Sequence, residues 1–198
     1  MIGWKVKRLI DIVGTVALLT VGAVPMVVIG AAIWISMGRP VLFRQVRPGL
    51  HGKPFTLVKF RTMRDGAGDD AGRLTSLGRV LRSTSLDELP GLWNVLRGDM
   101  SLVGPRPLLM EYLDRYTDRQ MLRHSVRPGL TGLAQVSGRN RLTWDEQLEL
   151  DVDYVLNWSL RRDFQILART AVTVLKRDGI TEPGQATRRP FKRSGPAP

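Results

Sequence analysis

The chain has 198 residues with 30 Lys or Arg against 18 Asp or Glu, a net charge of +12. The absence of cysteine excludes disulfide bonds and zinc–thiolate sites. The length suffices for one domain with a hydrophobic core, and the positive charge suits an anionic bilayer, nucleic acid or small anionic substrates.

The first element in the chain is a long apolar segment. No residue from 12 to 37 is charged. As one helix this segment would measure about 39 Å, against a hydrocarbon core of about 30 Å. Pro25 lies in its middle, and proline removes a helical hydrogen bond and commonly kinks or breaks a helix. The sequence therefore predicts a helix broken at Pro25 into halves that are each too short to cross a bilayer.

Basic residues flank this segment on both sides: Lys5, Lys7 and Arg8 before it, and Arg39, Arg44 and Arg47 after it. The positive-inside rule is best met if both ends are cytoplasmic, which favours a re-entrant helix over residues 1–38 on an anionic membrane surface. A single kinked transmembrane helix is the alternative, and the sequence weighs the two nearly equally.

Residues 39–63 predict a β-hairpin with a Pro/Gly-rich turn at 48–54. Lys59, Arg61 and Arg64 follow its second strand, where they form either a solvated basic edge or contacts to phosphate or lipid headgroups. Residues 65–73 predict a flexible polar loop, and the next stretch leads to two adjacent carboxylates, Asp87 and Glu88.

The pair Asp87–Glu88 lies at a predicted helix start. Pro90 has no backbone N–H to donate and is tolerated without cost only in the first turn of a helix. We therefore expect the helix to begin at Leu86 or Asp87 and to run to residue 96. A capping box from Ser85 to Glu88 is the second possible register. In both registers the two carboxylates lie at the positive end of the helix dipole, where such residues usually serve only as caps.

Further helices are predicted over residues 107–124, 143–157 and 159–177, with a Gly-rich connecting loop at 126–141. Thr143 and Glu146 form a capping box for the second of them. The last helix is basic and amphipathic, which is typical both of a membrane-surface element and of a helix packed on the core. His124 is expected at the surface, and the residues from 182 onward are expected to be disordered.

Several motifs in one order resemble the signature of the bacterial sugar transferases, the monotopic phosphoglycosyl transferases that act on polyprenyl phosphate. They are KFRTM at 59–63, TSLDELP at 84–90, LWNVL at 92–96, GDMSLVGPRP at 98–107 and RPGLTGLAQVSGR at 127–139. The resemblance covers roughly residues 5–178.

The resemblance implies an α+β, mostly helical fold. Residues 1–38 would be the re-entrant membrane helix, 39–178 a cytoplasmic catalytic domain with a short β-hairpin and interfacial amphipathic helices, and 179–198 a basic tail. It also implies the bacterial inner membrane, with the catalytic domain on the cytoplasmic face. The family usually has Ser-Pro at the break in the helix, whereas this chain has Val24-Pro25.

The implied reaction moves sugar-1-phosphate from a nucleotide-diphosphate sugar, most often UDP-linked, to polyprenyl (undecaprenyl) phosphate. It proceeds through a covalent aspartyl-phosphosugar with Mg²⁺ as cofactor, and it initiates glycan or exopolysaccharide assembly. The residues carried over are Asp87 as nucleophile and metal contact and Glu88 as a second catalytic residue that positions the acceptor or the metal. Lys59, Arg82, Arg106 and Arg139 are carried over as phosphate ligands, and Asp151 as a possible substrate or metal contact.

Two rival functions belong to other classes. A nucleic-acid-binding protein would explain the charge, but the chain has no recognised nucleic-acid motif and such a protein has no use for the apolar segment. A non-catalytic basic membrane scaffold would explain the segment. The retained Asp87–Glu88 pair and Arg106 argue against it.

Overall fold

The computed structural model describes residues 2–67, 69–138, 141–176 and 190–191. The fold is mostly helical, as predicted, with two small sheets. The helices are α1 (Ile2–Met37), α2 (Asp70–Arg73), α3 (Ser76–Ser83), α4 (Leu92–Arg97), α5 (Asp118–Met121), α6 (Leu133–Ser137), α7 (Trp144–Leu156) and α8 (Leu160–Lys176). The strands are β1 (Leu42–Pro48), β2 (Pro54–Phe60), β3 (Ser101–Val103) and β4 (Gly129–Thr131), and 3-10 helices cover Leu50–Gly52, Leu86–Gly91, Met110–Arg115 and Leu122–Ser125.

The helix α1 is continuous, with Pro25 inside it, so the predicted break of the helix at Pro25 is wrong. Proline deletes one backbone hydrogen bond, and the bonds before and after it hold the helix together. By length and composition α1 could cross a membrane. Val21, Val24 and Val27 on either side of the proline are 81%, 73% and 73% exposed, so this middle stretch presents apolar side chains to its surroundings.

The N-terminal part of α1 docks through buried polar groups. The Asp11 carboxylate accepts hydrogen bonds from the Ser101 hydroxyl and the Leu102 backbone N–H, both at 3.0 Å. Lys7 forms an ion pair of 2.6 Å with Asp163 in α8. Buried groups of this kind are stable only when they are paired, so this end of α1 has one defined position on the globular part.

The C-terminal part of α1 packs on the same globular part through apolar side chains. Ile33 is fully buried in a cluster with Phe60 of β2 and Leu81 of α3. The Arg61 guanidinium donates to the carbonyls of Met37 and Gly38 at 2.6 and 2.8 Å, which satisfies orphan groups at the helix end. Both ends of α1 therefore contact one body.

The predicted hairpin is confirmed. Strands β1 and β2 pair antiparallel from Leu42 opposite Phe60 to Pro48 opposite Pro54. The Asn94 side chain joins α4 to this hairpin. Its Oδ1 accepts from the Val58 N–H at 3.1 Å, and its Nδ2 donates to the Thr56 carbonyl at 2.8 Å. These two hydrogen bonds fix β2, and with it Lys59, relative to α4.

The Gly-rich stretch 126–141, predicted as a loop, contains β4 and α6. Strand β4 pairs parallel to β3, with Ser101 opposite Gly129 and Val103 opposite Thr131. A Cβ on Gly104 would lie 2.5 Å from the carbonyl oxygen of Arg127, so only glycine allows this backbone approach. The close packing fixes the chain immediately before Arg106.

Two expectations for the following stretch are wrong. Residues 107–124 form short helical segments instead of one helix, because Thr117 opens a new capped turn with Gln120. His124 is buried against Tyr116 and is not at the surface. The next helix, α7, begins with the capping box of Thr143 and Glu146, as predicted.

Two more segments expected to lack structure are ordered in part. The polar loop 65–73 contains the short helix α2, which is capped by Asp69. In the tail, Pro190 and Phe191 are described, and Phe191 is only 2% exposed. All other residues of the stretch from 182 onward lie outside the described residues.

The main core lies between α4, β3, α7 and α8. Its buried residues are Leu57, Leu92, Val95, Met100, Leu102, Val103, Val126, Leu133, Tyr154 and Ile166. A second cluster gathers aromatic residues around Tyr112 and Phe191. The 3-10 helix with the two adjacent carboxylates is continuous with α4, so the main core carries it rigidly.

Candidate active site

The two adjacent carboxylates lie in the first turn of the 3-10 helix Leu86–Gly91, which confirms the predicted helix start. The helix type differs, because the regular α-helix begins only at Leu92. Ser85 precedes the turn in the left-handed conformation (φ 57°), and its side chain makes no cap hydrogen bond. The alternative capping box from Ser85 to Glu88 is therefore absent, and the Glu88 side chain is free to point elsewhere.

Glu88 is held by two cations. Its Oε1 lies 2.7 Å from Lys59 Nζ and 2.7 Å from Arg106 Nη2. Burial alone would raise the pKa of Glu88, but Arg106 and Lys59 outweigh it, and the pKa lies well below its usual range. Glu88 is therefore ionised at all physiological pH values, and it fixes both cations beside its neighbour.

Asp87 has the opposite electrostatics. Its side chain is buried, and burial, reinforced by the negative charge of Glu88, raises the pKa of Asp87 to about 6. Lys59, Arg106 and Arg82 oppose this rise. At neutral pH the carboxylate is still mostly ionised, and it is more basic than an ordinary aspartate.

Arg82 approaches Asp87 from α3. Its Nε donates to the Thr62 hydroxyl at 3.0 Å, which aligns the guanidinium against the segment that follows β2, the strand that carries Lys59. The structure thus brings together five of the predicted site residues, Lys59, Arg82, Asp87, Glu88 and Arg106. Arg139 lies outside the described residues.

Arg106 projects from the turn between Pro105 and Pro107, and 39% of its side chain is exposed. Its backbone is held separately, because the Arg106 carbonyl accepts a hydrogen bond of 2.6 Å from Arg123 Nη2. The guanidinium is therefore both accessible and positioned.

Arg123 in turn pairs with Asp151, at 2.7 Å from Nη2 to Oδ2, and both side chains are 1% exposed. Asp151 is thus buried behind the turn that carries Arg106. In this position it supports Arg106 through Arg123, and the contact with substrate or metal stays a prediction. The pair is costly to break, since removing one partner leaves a buried charge uncompensated.

Three residues at or behind the site were missed by sequence reasoning: Arg47, Asn94 and Arg123. Burial, aided by the nearby charge of Arg106, lowers the pKa of Arg47 to about 10. Asn94 stands in a quoted motif, and a polar residue within an apolar helix could have signalled a buried hydrogen-bonding role. Nothing local distinguished Arg123 from the many other basic residues.

The donor set suits a substrate-bound Mg²⁺ better than a resident metal. Among the described residues, no group of three or more His, Asp or Glu side chains could hold a metal ion. Since the Glu88 carboxylate already forms ion pairs with Lys59 and Arg106, Asp87 is the carboxylate of this pair that could contact a metal ion. Mg²⁺ commonly binds through one or two carboxylates plus substrate phosphates, so the residues fit that mode.

Comparison with known proteins gives matches over nearly the whole chain. Residues 2–177 match the family described as bacterial sugar transferase. The chain is 51% identical to the uncharacterized sugar transferase EpsL of Bacillus subtilis, over 96% of each chain. It is 46% identical to the UDP-glucose:undecaprenyl-phosphate glucose-1-phosphate transferase of Caulobacter vibrioides, over 87% of this chain and 70% of that one. It is 43% identical to the undecaprenyl-phosphate galactose phosphotransferase of Salmonella typhimurium, over 71% of this chain and 34% of that longer one.

Proposed function

Since this chain belongs to the bacterial sugar transferase family, and is therefore a transferase, we propose that it moves sugar-1-phosphate from a UDP-sugar to undecaprenyl phosphate. The observation that carries this proposal is that two neighbouring carboxylates have opposite electrostatic surroundings. The negative charge of Glu88 is compensated by ion pairs with Lys59 and Arg106. Burial raises the pKa of the neighbouring Asp87 to about 6. An arrangement of this kind supplies a basic, ionised carboxylate among fixed cations, which phosphoryl transfer needs.

The first step forms a bond between an Asp87 carboxylate oxygen and the phosphorus that bears the sugar. The bond from that phosphorus to the bridging oxygen breaks, and nucleoside monophosphate leaves with the electron pair. In the second step an oxygen of the acceptor phosphate attacks the same phosphorus, and the Asp87 carboxylate is released. Each step is an in-line displacement, which favours a nucleophile on a rigid element.

The cations make the attack of an anion on an anionic phosphorus possible. Arg106 can bind phosphate oxygens in a bidentate manner, and Lys59 and Arg82 add positive charge around Asp87. We assign Glu88 the role of holding Lys59 and Arg106 in place. Bound with the diphosphate and contacted by Asp87, Mg²⁺ would supply further charge neutralisation.

We also propose that both ends of α1 lie on the same side of the membrane, with the continuous helix bent at Pro25 and its middle stretch in the bilayer. Its N-terminal part binds Asp163 through Lys7, and its C-terminal part packs Ile33 against Phe60 and Leu81 of the same body. A helix whose ends were on opposite sides of a bilayer could not make both contacts. The catalytic groups would then lie near the headgroup plane, where the acceptor phosphate lies.

The topology is tested by single-cysteine labelling, which has no background in this cysteine-free chain. Lys5→Cys and Arg39→Cys are each expressed in intact cells and exposed to a membrane-impermeant thiol reagent. We expect protection at both positions until the cells are opened. Labelling of one position from outside would establish a crossing helix.

The chemistry is tested with donor in the absence of acceptor. Purified protein is incubated with UDP-glucose or UDP-galactose, and the released UMP is counted. A covalent mechanism predicts a burst of about one UMP per active site, and a phosphosugar adduct on the peptide containing Asp87. Release that requires both substrates at once, with no adduct trapped, would favour direct attack by the acceptor.

A further inference from the structure

The tail residue Phe191 occupies an aromatic cluster that the proposed reaction does not use. Its ring centroid lies 5.4 Å from that of Trp144, 5.6 Å from Tyr112 and 5.7 Å from Tyr116. Aromatic pairs at these separations attract beyond their buried area. The side chain is 2% exposed, although the polar and basic composition around it predicted disorder.

The backbone of Phe191 is bound as well. Its N–H donates to the Tyr112 hydroxyl at 3.1 Å, and its carbonyl accepts from Arg115 Nη1 at 2.6 Å. Phe191 thus makes two hydrogen bonds and two ring contacts with the segment that follows Arg106, and a third ring contact with Trp144 of α7. Phe191 therefore has a defined position, fixed through both its backbone and its ring.

The docking cluster leads to Arg106 in two contacts. The Arg123 guanidinium lies over the Tyr116 ring, 5.6 Å from its centroid. Arg123 Nη2 donates to the Arg106 carbonyl at 2.6 Å and pairs with Asp151. Phe191 therefore packs on Tyr116. The Tyr116 ring contacts the Arg123 guanidinium, which in turn binds the backbone of Arg106.

We propose that Phe191 is a positioning residue: the tail latches onto Tyr112, Tyr116 and Trp144, and so keeps Arg123 and the backbone of Arg106 in the geometry that binds the donor diphosphate. The inference rests on the proposed function only where it assigns Arg106 to the donor. Without the latch, Tyr116 and Arg123 gain freedom, and Arg106 spends less time in its productive position.

The first test compares full-length Phe191→Ala, Phe191→Leu and Pro190→Ala by UMP release from a UDP-sugar. We expect kcat/KM for the donor to fall about three- to tenfold in Phe191→Ala, with a smaller fall in Phe191→Leu, which refills part of the volume. Pro190 is exposed, and its alanine variant is the matched control with unchanged activity. Equal activity per folded molecule in all of them would overturn the proposal.

A double-mutant cycle shows whether the effect passes through Arg106. In an Arg106→Lys background, Phe191→Ala should cost less than about twofold, because the guanidinium that the latch positions is gone. Additive losses would mean that Phe191 acts only through general stability.

A second readout does not depend on activity. Hydrogen exchange of the peptides spanning residues 106–123 should be faster in Phe191→Ala than in wild type and Pro190→Ala. Unchanged exchange there would overturn the latch even in an active enzyme. Faster exchange in a protein that releases no UMP would support the latch and remove the proposed function.

Discussion

Two buried sites in this protein each contain an aspartate and a lysine, and they differ in whether the aspartate is fully paired. At the first, Asp163 Oδ2 accepts from Lys7 at 2.6 Å and from Trp158 Nε1 at 3.1 Å, and Oδ1 lies 2.7 Å from the Tyr154 hydroxyl. Every oxygen there has a partner. At the second, the close ion pairs of Lys59 and Arg106 go to Glu88, and the pKa of Asp87 is raised.

The difference indicates that the Asp163 site stabilises the fold, whereas the Asp87 site is suited to the reaction. The Asp163 site ties α1 to α7 and α8, and a fully paired carboxylate of this kind has no reason to react. The Asp87 site retains a carboxylate whose ionised form is disfavoured by burial, which is a cost in stability and a gain in basicity. The contrast predicts that mutations at the two sites will separate stability from turnover.

The largest effect is expected for Asp87→Asn, which should reduce UMP release by at least about a thousandfold, because an amide cannot form the acyl phosphate. Stability should be unchanged or higher at pH 7. The folded pKa of about 6 lies above the ordinary 3.8, so the stability that Asp87 contributes is present at low pH and is lost as pH rises through 6. Turnover close to wild type, measured with thermal unfolding in parallel, would remove Asp87 from the nucleophile's role.

Lys7→Met should show the reverse pattern. It leaves the buried Asp163 without its cation, which typically costs about 3–5 kcal/mol. We expect a lower unfolding midpoint in detergent, with activity per folded molecule retained at low temperature. Lys5→Met, two residues away on an exposed position, is the control and should leave the midpoint unchanged. An equal midpoint in both variants would mean that the Lys7–Asp163 pair adds no stability.

Arg106→Lys should weaken donor use by about ten- to a hundredfold in kcat/KM, because an ammonium cannot reproduce the bidentate contact to phosphate. The matched control is Arg97→Lys, whose side chain is 61% exposed and pairs with Asp99 at the end of α4. Steady-state kinetics with UDP-glucose measure both. If the two variants behave alike, Arg106 serves only the turn.

The smallest effect concerns pH. Since Asp87 must be ionised to attack, the rate constant of the UMP burst should fall with pH below about 6, by about tenfold per unit. The burst isolates the first step from the acceptor phosphate, whose own second pKa lies near 6. Because Arg82 lowers the pKa of Asp87, Arg82→Gln should move this midpoint upward, whereas the exposed Arg79→Gln should not. A midpoint near 4 in wild type would contradict the raised pKa.

Sequence reasoning succeeded where the determinants are local. The capping box of Thr143 and Glu146, Pro90 in the helix that begins at Leu86 and the Pro/Gly turn of the hairpin each act within a few residues. Each of them gave an element start or a turn that the structure confirms. The adjacency of Asp87 and Glu88 was equally plain.

The rest depended on contacts between distant residues. The pairing of β3 with β4 involves three residues in each strand and leaves no periodic pattern. The partners of Glu88 come from residues 59 and 106, and the pairing of Arg123 with Asp151 joins a 3-10 helix to α7. Pro25 led to a wrong prediction for a different reason. A proline locally favours a helix break, but the helical hydrogen bonds before and after Pro25 keep α1 continuous.

The docking of α1 has a consequence for making the enzyme. Ile33 completes the cluster of Phe60 and Leu81, and Asp11 binds the strand that precedes Arg106. A gene shortened to begin after residue 38 would therefore lose part of the fold along with the membrane attachment, and its product should aggregate when expressed. A soluble form for screening or industrial use is better sought by replacing the exposed valines of α1 with polar residues, which leaves the docking contacts in place.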